Sequence, residues 1–364
     1  MIRSEPAKPH LDQELTDLNL PSAWKSGSLK YGELKMLAEG GTAKLFLTND
    51  KNLNRTVAYK TLHADLRNSE VETKRFLREA RVTANIQHPG TLPVYELGRD
   101  REGQLFFTMK KVDGRDLRKI LQDLAQEVPE VVDAFPLPRL LDILIQVCQT
   151  MAYAHDIGVI HRDLKPANII IGKFGEVYVL DWGLAKVTGA ASIIGKDFQP
   201  EPEKKDLQLT PVGRHYGTPM YMSPEIAQGD ERIDARSDVF ALGIILYEML
   251  TLKPFVEGED IIEIKKKLLE EAYPLPREKV PQKFIPKDLE AVCLKALKKR
   301  RHKRYQSVTE LLTDLQKYRH GEEVSVYWYS GWEKLTRWNH HKAYWLIAVL
   351  SGLAGAVIQG LFGG

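Results

Sequence analysis

Residues 159–183 read VIHRDLKPANIIIGKFGEVYVLDWG, and this stretch decides the fold. It contains the aspartates Asp163 and Asp181, with Lys165 and Asn168 between them. Carboxylate and amide oxygens suit a hard divalent cation, and a lysine ammonium group suits phosphate. The stretch therefore predicts a site that brings together a hydroxyl, a polyphosphate and a metal ion.

Two apolar runs in the same stretch, at 169–171 and 177–180, flank Gly172 and Gly175. Apolar runs separated by a short segment that contains glycine predict a β-hairpin. Such a hairpin would return the chain to the side of the fold from which it left. We therefore expect the two acidic loops to lie next to each other.

The overall composition is that of a globular protein with one two-lobed domain or two domains. The chain has 364 residues, of which 28% are charged, and a formal net charge of +3. This charge is too small to indicate a nucleic acid partner. The two cysteines, Cys148 and Cys293, lie in apolar helical patterns, which predicts buried thiols rather than a disulfide or a metal site.

The pattern HRDLKPAN at 161–168, followed by DWG at 181–183, resembles the catalytic core of Ser/Thr protein kinases. That family reads HRDLKxxN and then DFG, so one position departs from its pattern. The segment REARVTANIQHPGTLPVYELG at 78–98 resembles the bacterial, membrane-anchored eukaryotic-like (Hanks-type) members. The resemblance implies an α+β, two-lobed protein kinase-like fold at 29–320. A small β-rich N-lobe would occupy about 29–112, and a helical C-lobe about 113–320.

The resemblance also implies roles in phosphoryl transfer. Asp163 would accept or orient the proton of the attacking hydroxyl, and Lys165 would reach the γ-phosphate of ATP. Asn168 and Asp181 would hold Mg²⁺, which Mn²⁺ could replace. Thr218, in the segment GTPMYMSPE, would support the catalytic aspartate and lysine, as this threonine does in Ser/Thr kinases.

Four residues of the N-lobe carry a further part of the resemblance. Lys60 ends the strand-like VAYK and would bind the α- and β-phosphates, and Glu79 in RFLREA would pair with it. Gly40 and Gly41 resemble the turn that covers the phosphates. Taken one at a time, such a lysine or glutamate is equally a solvated side chain, and a glycine pair is typical of any hairpin turn.

An adenine pocket is the last site that the resemblance implies. Met109 would be its gatekeeper, and hinge backbone groups at 110–112 would bind the adenine edge. The residues expected in this pocket are Met109, Lys110 and Val112, together with Leu37, Leu45, Ala58 and Ile170, which would enclose the ring. Apolar residues at these positions suit a protein core equally well.

Some features next to these motifs are expected to be regulatory or architectural. The activation segment should run from Asp181 to Glu225. The usual phosphothreonine position carries an arginine here, so Thr210 is the expected phosphosite. Asp238 should bind the catalytic-loop backbone, and Glu225 should pair with Arg304. The basic run around that arginine is either a solvated helix end or a surface for an acidic partner.

The C-terminal part of the chain predicts a membrane anchor. Segment 321–342 is rich in Trp, Tyr, Lys and Arg, and segment 343–363 is uncharged and long enough to span a bilayer. Aromatic and cationic residues beside a span indicate an interfacial belt on the cytoplasmic side. We expect a single-pass helix in the inner (cytoplasmic) membrane, a cytoplasmic kinase domain and a flexible segment at 1–28. Small residues in the span would allow a homodimer, and a buried docking helix is the alternative for 343–363.

Two functional hypotheses remain. The first is a Ser/Thr protein kinase that transfers the γ-phosphoryl group of MgATP to Ser/Thr hydroxyls of proteins, itself included. The second is a catalytically weak pseudokinase that acts as a membrane-tethered binding scaffold. It is motivated by Ala38 and Ala43, which replace family glycines, and by Trp182, which replaces phenylalanine. A small-molecule kinase is disfavoured because Thr218 and the SPE segment resemble machinery for peptide substrates.

Overall fold

The computed structural model describes residues 27–188, 219–230, 232–270, 272–331 and 333. Thr218 and Thr210 lie outside the described residues, as do the predicted span at 343–363 and all but the last two residues of the flexible segment predicted at 1–28. Within the described ranges, no helix is both long enough and apolar enough to cross a membrane.

The described chain forms two compact units. Residues 27–76 and 93–111 belong to the first unit, and the second unit comprises residues 77–92 together with the chain from Val112 onward. A β-rich unit followed by a mainly helical one agrees with the architecture expected from the sequence.

A five-stranded antiparallel sheet makes up most of the first unit, in the order β1-β2-β3-β5-β4. Its strands are β1 (Lys35–Glu39), β2 (Ala43–Asp50), β3 (Arg55–Leu62), β4 (Val94–Arg99) and β5 (Leu105–Lys110). Tyr31, Val57, Tyr59 and Phe106 form a small core on this sheet. The rings of Tyr59 and Phe106 stack with their centroids 4.6 Å apart, a contact that adds to the burial of both rings.

Helix α1 (Glu70–Asn85) runs from the first unit into the second. Its buried residues include the apolar Phe76 and Ala80, whereas the apolar Val71 is exposed. Glu72 and Arg75 are buried instead, and their charges lie 3.6 Å apart. A buried ion pair of this kind is not visible in the hydrophobic pattern, which counts charged residues as exposed.

The second unit is mainly helical. Its helices are α2 (Leu117–Ala125), α3 (Pro129–Ala134), α4 (Leu137–Asp156), α5 (Pro224–Gln228), α6 (Arg236–Thr251), α7 (Ile261–Glu270), α8 (Pro276–Lys279), α9 (Lys287–Ala296) and α10 (Val308–Arg319). Every residue of α6 after Arg236 is buried, and α6 packs against α4 and α9. Cys148 and Cys293 are free, buried thiols in this core, as predicted.

Short strands in the second unit lie within and beside residues 159–183. Strand β6 (Gly114–Asp116), β8 (Ile169–Gly172) and β9 (Val177–Val179) form one antiparallel sheet, and β7 (Val159–Ile160) pairs with β10 (Lys186–Val187). The register of β8 and β9 places Ile170 opposite Tyr178. The predicted hairpin is therefore confirmed.

The basic run at 295–304 is largely used inside the fold. Arg304 is buried and binds Glu225, and Arg301 binds Asp230. Lys299 donates to the Leu269 carbonyl at 3.0 Å. These contacts favour a structural role for the run over a surface for an acidic partner.

Candidate active site

The first turn of α6 binds the backbone of the predicted catalytic loop at 161–168. Asp238 accepts hydrogen bonds from the backbone N–H groups of His161, at 2.9 Å, and Arg162, at 3.0 Å. His155 lies 2.7 Å from the same carboxylate. Burial alone would raise the pKa of Asp238, but these bonds, above all the one to His155, hold it below its usual value. Asp238 is therefore a fixed negative anchor, as the sequence predicts.

Two further contacts fix the shape of this loop. Arg162 adopts a left-handed backbone with φ of 65°, and its side chain donates to the Leu184 carbonyl at 2.7 Å. His161 is fully buried, and its ring nitrogens lie 3.0 Å from the Leu180 carbonyl and 3.3 Å from the backbone nitrogen of Asp163. A residue rarely keeps a positive φ unless its surroundings enforce it, and here the contacts of the Arg162 side chain and of the His161 ring hold the loop.

Asp163 forms a compact cluster with Lys165 and Asn168. The Lys165 Nζ donates to the Asp163 carboxylate at 2.6 Å, and the Asn168 amide nitrogen donates to the Asp163 backbone carbonyl at 2.9 Å. Burial raises the pKa of Asp163, the charge of Lys165 opposes that rise, and the charge of Asp181 adds to it; the net direction is upward. A carboxylate with a raised pKa is a better proton acceptor than an ordinary aspartate.

Asp181 is tied to the same cluster through the backbone. The N–H of Leu180 donates to the Asn168 carbonyl at 2.8 Å, so the loop before Asp181 lies beside the residue expected to share its metal ion. Asp181 itself is exposed and has a φ of 63°. The structure therefore brings together Asp163, Lys165, Asn168 and Asp181 within the second unit.

The donor set around Asn168 and Asp181 fits Mg²⁺. The Asn168 amide nitrogen is engaged as a donor, which turns its Oδ1 into the atom that remains to accept or coordinate. Asp181 supplies carboxylate oxygens at the exposed end of the loop. Mg²⁺ binds through few protein oxygens together with phosphates and waters, and the described residues contain no cluster of three or more acidic, histidine or cysteine side chains that could hold a metal by themselves.

Trp182 and Gly183 complete this loop. The Trp182 ring is fully buried, lies 4.6 Å from the His161 ring, and donates from Nε1 to the Val179 carbonyl at 3.3 Å. A Cβ atom at Gly183 would lie 3.3 Å from an Asp181 carboxylate oxygen and 3.9 Å from the Glu79 carboxylate. Glu79 thus lies next to this loop, and a side chain at 183 would crowd both acids.

Lys60 and three of the residues predicted for the adenine pocket lie on one face of the first unit's sheet. Lys60 pairs with Leu45 on β2, and Ala58 pairs with Met109 on β5. Residues two apart in a strand, and residues directly opposite each other, lie on the same face. The Lys60 Nζ lies 5.8 Å from the centre of the Phe107 ring.

The remaining predicted pocket residues are distributed over several elements. Leu37 lies in β1 beside an irregularity in its pairing with β2 and is exposed. Lys110 ends β5 and donates its backbone N–H to the Pro93 carbonyl at 3.1 Å, and Val112 is half-buried. Ile170 is half-buried in β8 of the second unit.

The glycine pair forms the turn between β1 and β2. Gly40 donates to the Ala43 carbonyl at 2.9 Å, and the added Cβ of an alanine at Gly41 would meet no atom within 4 Å. Neither glycine has a positive φ. The geometry of the turn therefore does not require glycine. The space beside Gly41 is open, so a bound group could approach the backbone there.

Comparison with known proteins identifies the family. The protein kinase domain family matches residues 31–315. The chain belongs to the protein kinase family. It is 37% identical over 298 residues to the serine/threonine-protein kinase PknD of Protochlamydia amoebophila, covering 80% of this chain and 30% of that relative. It is 34% identical over 308 residues to PknD of Chlamydia muridarum, covering 80% of this chain and 32% of the relative.

These relatives confirm the predicted likeness to bacterial Hanks-type Ser/Thr kinases. PknD of Chlamydia pneumoniae is 35% identical over 299 residues, again covering 80% of this chain. The chain spans about a third of the length of the curated relatives that it matches. The kinase-like motifs of the chain, from the glycine turn to Arg304, all fall within the matched region.

Two residues of this kinase domain, His63 and Glu248, were not predicted from the sequence. The His63 Nε2 lies 2.7 Å from the Gly40 carbonyl, so a histidine contacts the glycine turn. The Tyr221 hydroxyl donates to the Glu248 carboxylate at 2.8 Å, and burial raises the pKa of Glu248 to about 7. The pairing of β2 with β3 could have pointed to His63, because it follows the strand end opposite Ala43. No sequence motif points to Glu248.

Proposed function

We propose that this kinase domain is an active enzyme that transfers the γ-phosphoryl group of MgATP to Ser or Thr hydroxyls of proteins, its own chain included. The observation that carries the proposal is the buried Asp163, whose carboxylate is bound by Lys165 at 2.6 Å and whose loop is anchored by Asp238. A binding scaffold needs neither a buried base nor a cation held against it.

The catalytic step follows from the charges around Asp163. The substrate hydroxyl would donate to the Asp163 carboxylate, which orients it and accepts its proton as the bond to phosphorus forms. Lys165 keeps a positive charge within reach of the γ-phosphate and of that carboxylate. Bound Mg²⁺ would supply neutralisation of the polyphosphate charge. Because the protein contributes mainly position and charge, small displacements of these groups should lower the rate strongly.

Nucleotide binding is assigned to the residues that the sequence singled out. Asn168 and Asp181 would hold Mg²⁺, and Mn²⁺ could replace it. Lys60, supported by Glu79, would bind the α- and β-phosphates beneath the glycine turn. The adenine edge would bind to the backbone of 110–112. Support comes from the shared sheet face of Lys60, Ala58 and Met109.

Serine and threonine are the proposed acceptors. Lys165 two residues after Asp163 is typical of Ser/Thr kinases, and the named relatives are serine/threonine-protein kinases. Thr218, proposed to support the catalytic pair, and Thr210, proposed as the phosphosite, remain sequence predictions.

We also propose where in the cell the reaction takes place. Segment 343–363 would anchor the chain in the inner membrane by a single pass, with the kinase domain in the cytoplasm. Its uncharged sequence and the aromatic and cationic residues before it support this. Small residues in the span would permit a homodimer.

A phosphotransfer assay with phosphoamino acid analysis tests the activity. The full chain is incubated with γ-labelled ATP and Mg²⁺, with and without a chelator. We expect labelled phosphoserine and phosphothreonine that disappear when the divalent cation is removed. A folded chain that transfers no label would favour the scaffold, and label confined to phosphotyrosine would contradict the proposed acceptors.

A further inference from the structure

The second unit has a cavity of about 720 Å³, and the residues that line it are far in sequence from the catalytic cluster. It is lined by the segment that precedes α9, by a strap at 324–331 and by Glu333. Phe284 and Ile285 of the first segment and Tyr327 and Tyr329 of the strap belong to this lining. Arg277, Lys283 and Lys287 add positive charge to the lining. The kinase chemistry described above uses none of these residues.

Two large aromatic rings on this part of the second unit are almost wholly exposed to water. Phe284 lines the cavity and is 88% exposed, and Trp328, which follows the lining residue Tyr327 directly, is 94% exposed. Single exposed apolar residues are common on protein surfaces, but two large rings, one that lines a cavity and one next in sequence to a lining residue, indicate an interaction site.

The exposed Trp328 lies in the strap, which forms hydrogen bonds with the fold both before and after Trp328. The Ser325 hydroxyl donates to Asp314 at 2.7 Å, and the Tyr329 hydroxyl lies 3.1 Å from the Asp288 carboxylate. Tyr329 is buried, and the Tyr327 ring packs edge-on against it at 4.7 Å. Trp328 is thus presented to solvent by a built scaffold and not by a loose chain end.

The acidic groups of the lining are engaged within the fold. Glu333 accepts hydrogen bonds from the Tyr327 hydroxyl at 3.0 Å and from Ser330 at 2.8 Å. Asp288 is buried and lies 3.1 Å from the Tyr329 hydroxyl. Arg277 binds Glu290, with 2.6 Å between Nε and the carboxylate. Hydrogen bonding leaves these carboxylates charged, but Asp288 and Glu290 are buried, whereas Lys283 and Lys287 are exposed. Apart from Glu333, the charge that the lining exposes to solvent is therefore mainly positive, which favours an anionic partner.

The chain itself indicates which anionic partner this is. Nine residues, 334–342, separate Glu333 from the uncharged stretch 343–362, and three of them are Lys334, Arg337 and Lys342. Fully extended, such a linker reaches at most about 35 Å. If 343–362 enters a bilayer, as proposed above, the cavity and its rings are held within that distance of the membrane surface.

We propose that the aromatic face, defined by Phe284, Trp328, Lys283 and Lys287, rests on an anionic lipid bilayer. The two rings would enter the headgroup region, where Trp is favoured, and the two lysines would lie against anionic headgroups. The proposal rests on the membrane anchor proposed for 343–363. It adds to that anchor a fixed orientation of the helical unit on the membrane.

Site-specific labelling tests the face, because Cys148 and Cys293 are both fully buried and leave an introduced cysteine as the accessible thiol within the described residues. The chain contains two cysteines in all. Phe284→Cys and Trp328→Cys variants of the full chain are labelled with an environment-sensitive dye. They are reconstituted into vesicles of phosphatidylcholine and phosphatidylglycerol (7:3) that contain spin-labelled lipid. Phe174→Cys is the matched control, since Phe174 is 93% exposed on the turn between β8 and β9.

We expect the labels at 284 and 328 to be quenched at least threefold more than the label at 174, with a blue-shifted emission. The difference should shrink in vesicles of phosphatidylcholine alone. Flotation of the vesicles reports the anchor separately. Protein that floats while all three labels are quenched equally would overturn the aromatic face and leave the anchor intact. Labels shielded from water but not quenched by lipid would indicate a second copy or another protein, and would overturn the face as well. Protein that does not float would overturn both proposals.

Discussion

Two buried acids of the second unit show how surroundings decide what a carboxylate does. Burial raises the pKa of both Asp163 and Glu248. Asp163 has the ammonium group of Lys165 at 2.6 Å, whereas Glu248 has a neutral tyrosine hydroxyl at 2.8 Å. The first arrangement keeps a charged base available for chemistry. The second holds a carboxyl group that changes its protonation near neutral pH.

Replacement of Glu248 by glutamine should make the protein more stable at alkaline pH. The pKa of Glu248 is raised from 4.5 to about 7 on folding. Below about pH 4.5 both states are protonated and the group has no effect. As the pH rises from 4.5 towards 7, the unfolded chain ionises first, so stability falls by up to about 3 kcal/mol. Glu248→Gln removes this loss and keeps an oxygen for the Tyr221 hydroxyl.

Urea unfolding at pH 5 and pH 8 measures this effect. The variant should gain much more stability over wild type at pH 8 than at pH 5. Glu259→Gln, at an exposed position, is the control and should leave the stability at both pH values unchanged. Equal effects of Glu248→Gln at the two pH values would contradict the assigned titration.

Among individual residues, the sequence predicts those that lie in local motifs. Asp163, Lys165 and Asn168 are within six positions of one another, so their spacing alone places them together. Glu248 and His63 could not be predicted in the same way. Each owes its role to a partner brought near by tertiary folding. Glu248 sits in no motif, and His63 is marked only by its place after the end of the strand that pairs with Ala43.

At the scale of elements, the β8–β9 hairpin was predictable because its two strands are neighbours in the chain. The pairing of β6 with β8 was not, because more than fifty residues separate Gly114 from Gly172. That pairing brings backbone atoms very close at Gly114. A Cβ atom there would lie 2.3 Å from the Ile171 carbonyl oxygen, far inside contact distance.

Gly114→Ala should therefore destabilise the second unit by about 1–3 kcal/mol, because a backbone oxygen cannot move aside without disrupting the strand pairing. Thermal unfolding of the full chain measures the loss. Gly41→Ala is the matched control, since that position is open and has no positive φ. It should leave stability unchanged or raise it by a few tenths of a kcal/mol. A Gly114→Ala protein as stable as Gly41→Ala would contradict the close approach.

For the molecule as a whole, one buried ion pair joins distant parts of the second unit. Arg304 donates to both oxygens of Glu225, at 2.8 and 2.7 Å, and also to the carbonyls of Arg236, Lys298 and Lys299. Burial would raise the pKa of Glu225, but the Arg304 bonds keep it below its usual value. The sequence predicts this pair through the kinase resemblance, not through charge spacing, because 78 residues lie between its members.

Arg304→Met should lower the free energy of unfolding by about 3–5 kcal/mol, because it leaves the buried Glu225 charge without its partner. The additional change Glu225→Leu should restore part of that loss, since no buried charge then remains. Arg301→Met, which removes partly exposed ion pairs with Asp230 and Asp234, should cost only about 1 kcal/mol. Urea unfolding of the four proteins measures these values. Equal losses for Arg304→Met and Arg301→Met would refute the structural role of the buried pair.

The kinase activity itself depends on Asp163, and one measurement tests this most directly. The rate of phosphoryl transfer by the full chain is compared for wild type and Asp163→Asn, at saturating MgATP and equal concentrations of folded protein. Asparagine keeps the size of the side chain but cannot accept the proton, so the rate should fall about 10²- to 10⁴-fold while the melting temperature changes little. An Asp163→Asn protein that keeps more than a tenth of the wild-type rate would contradict the account.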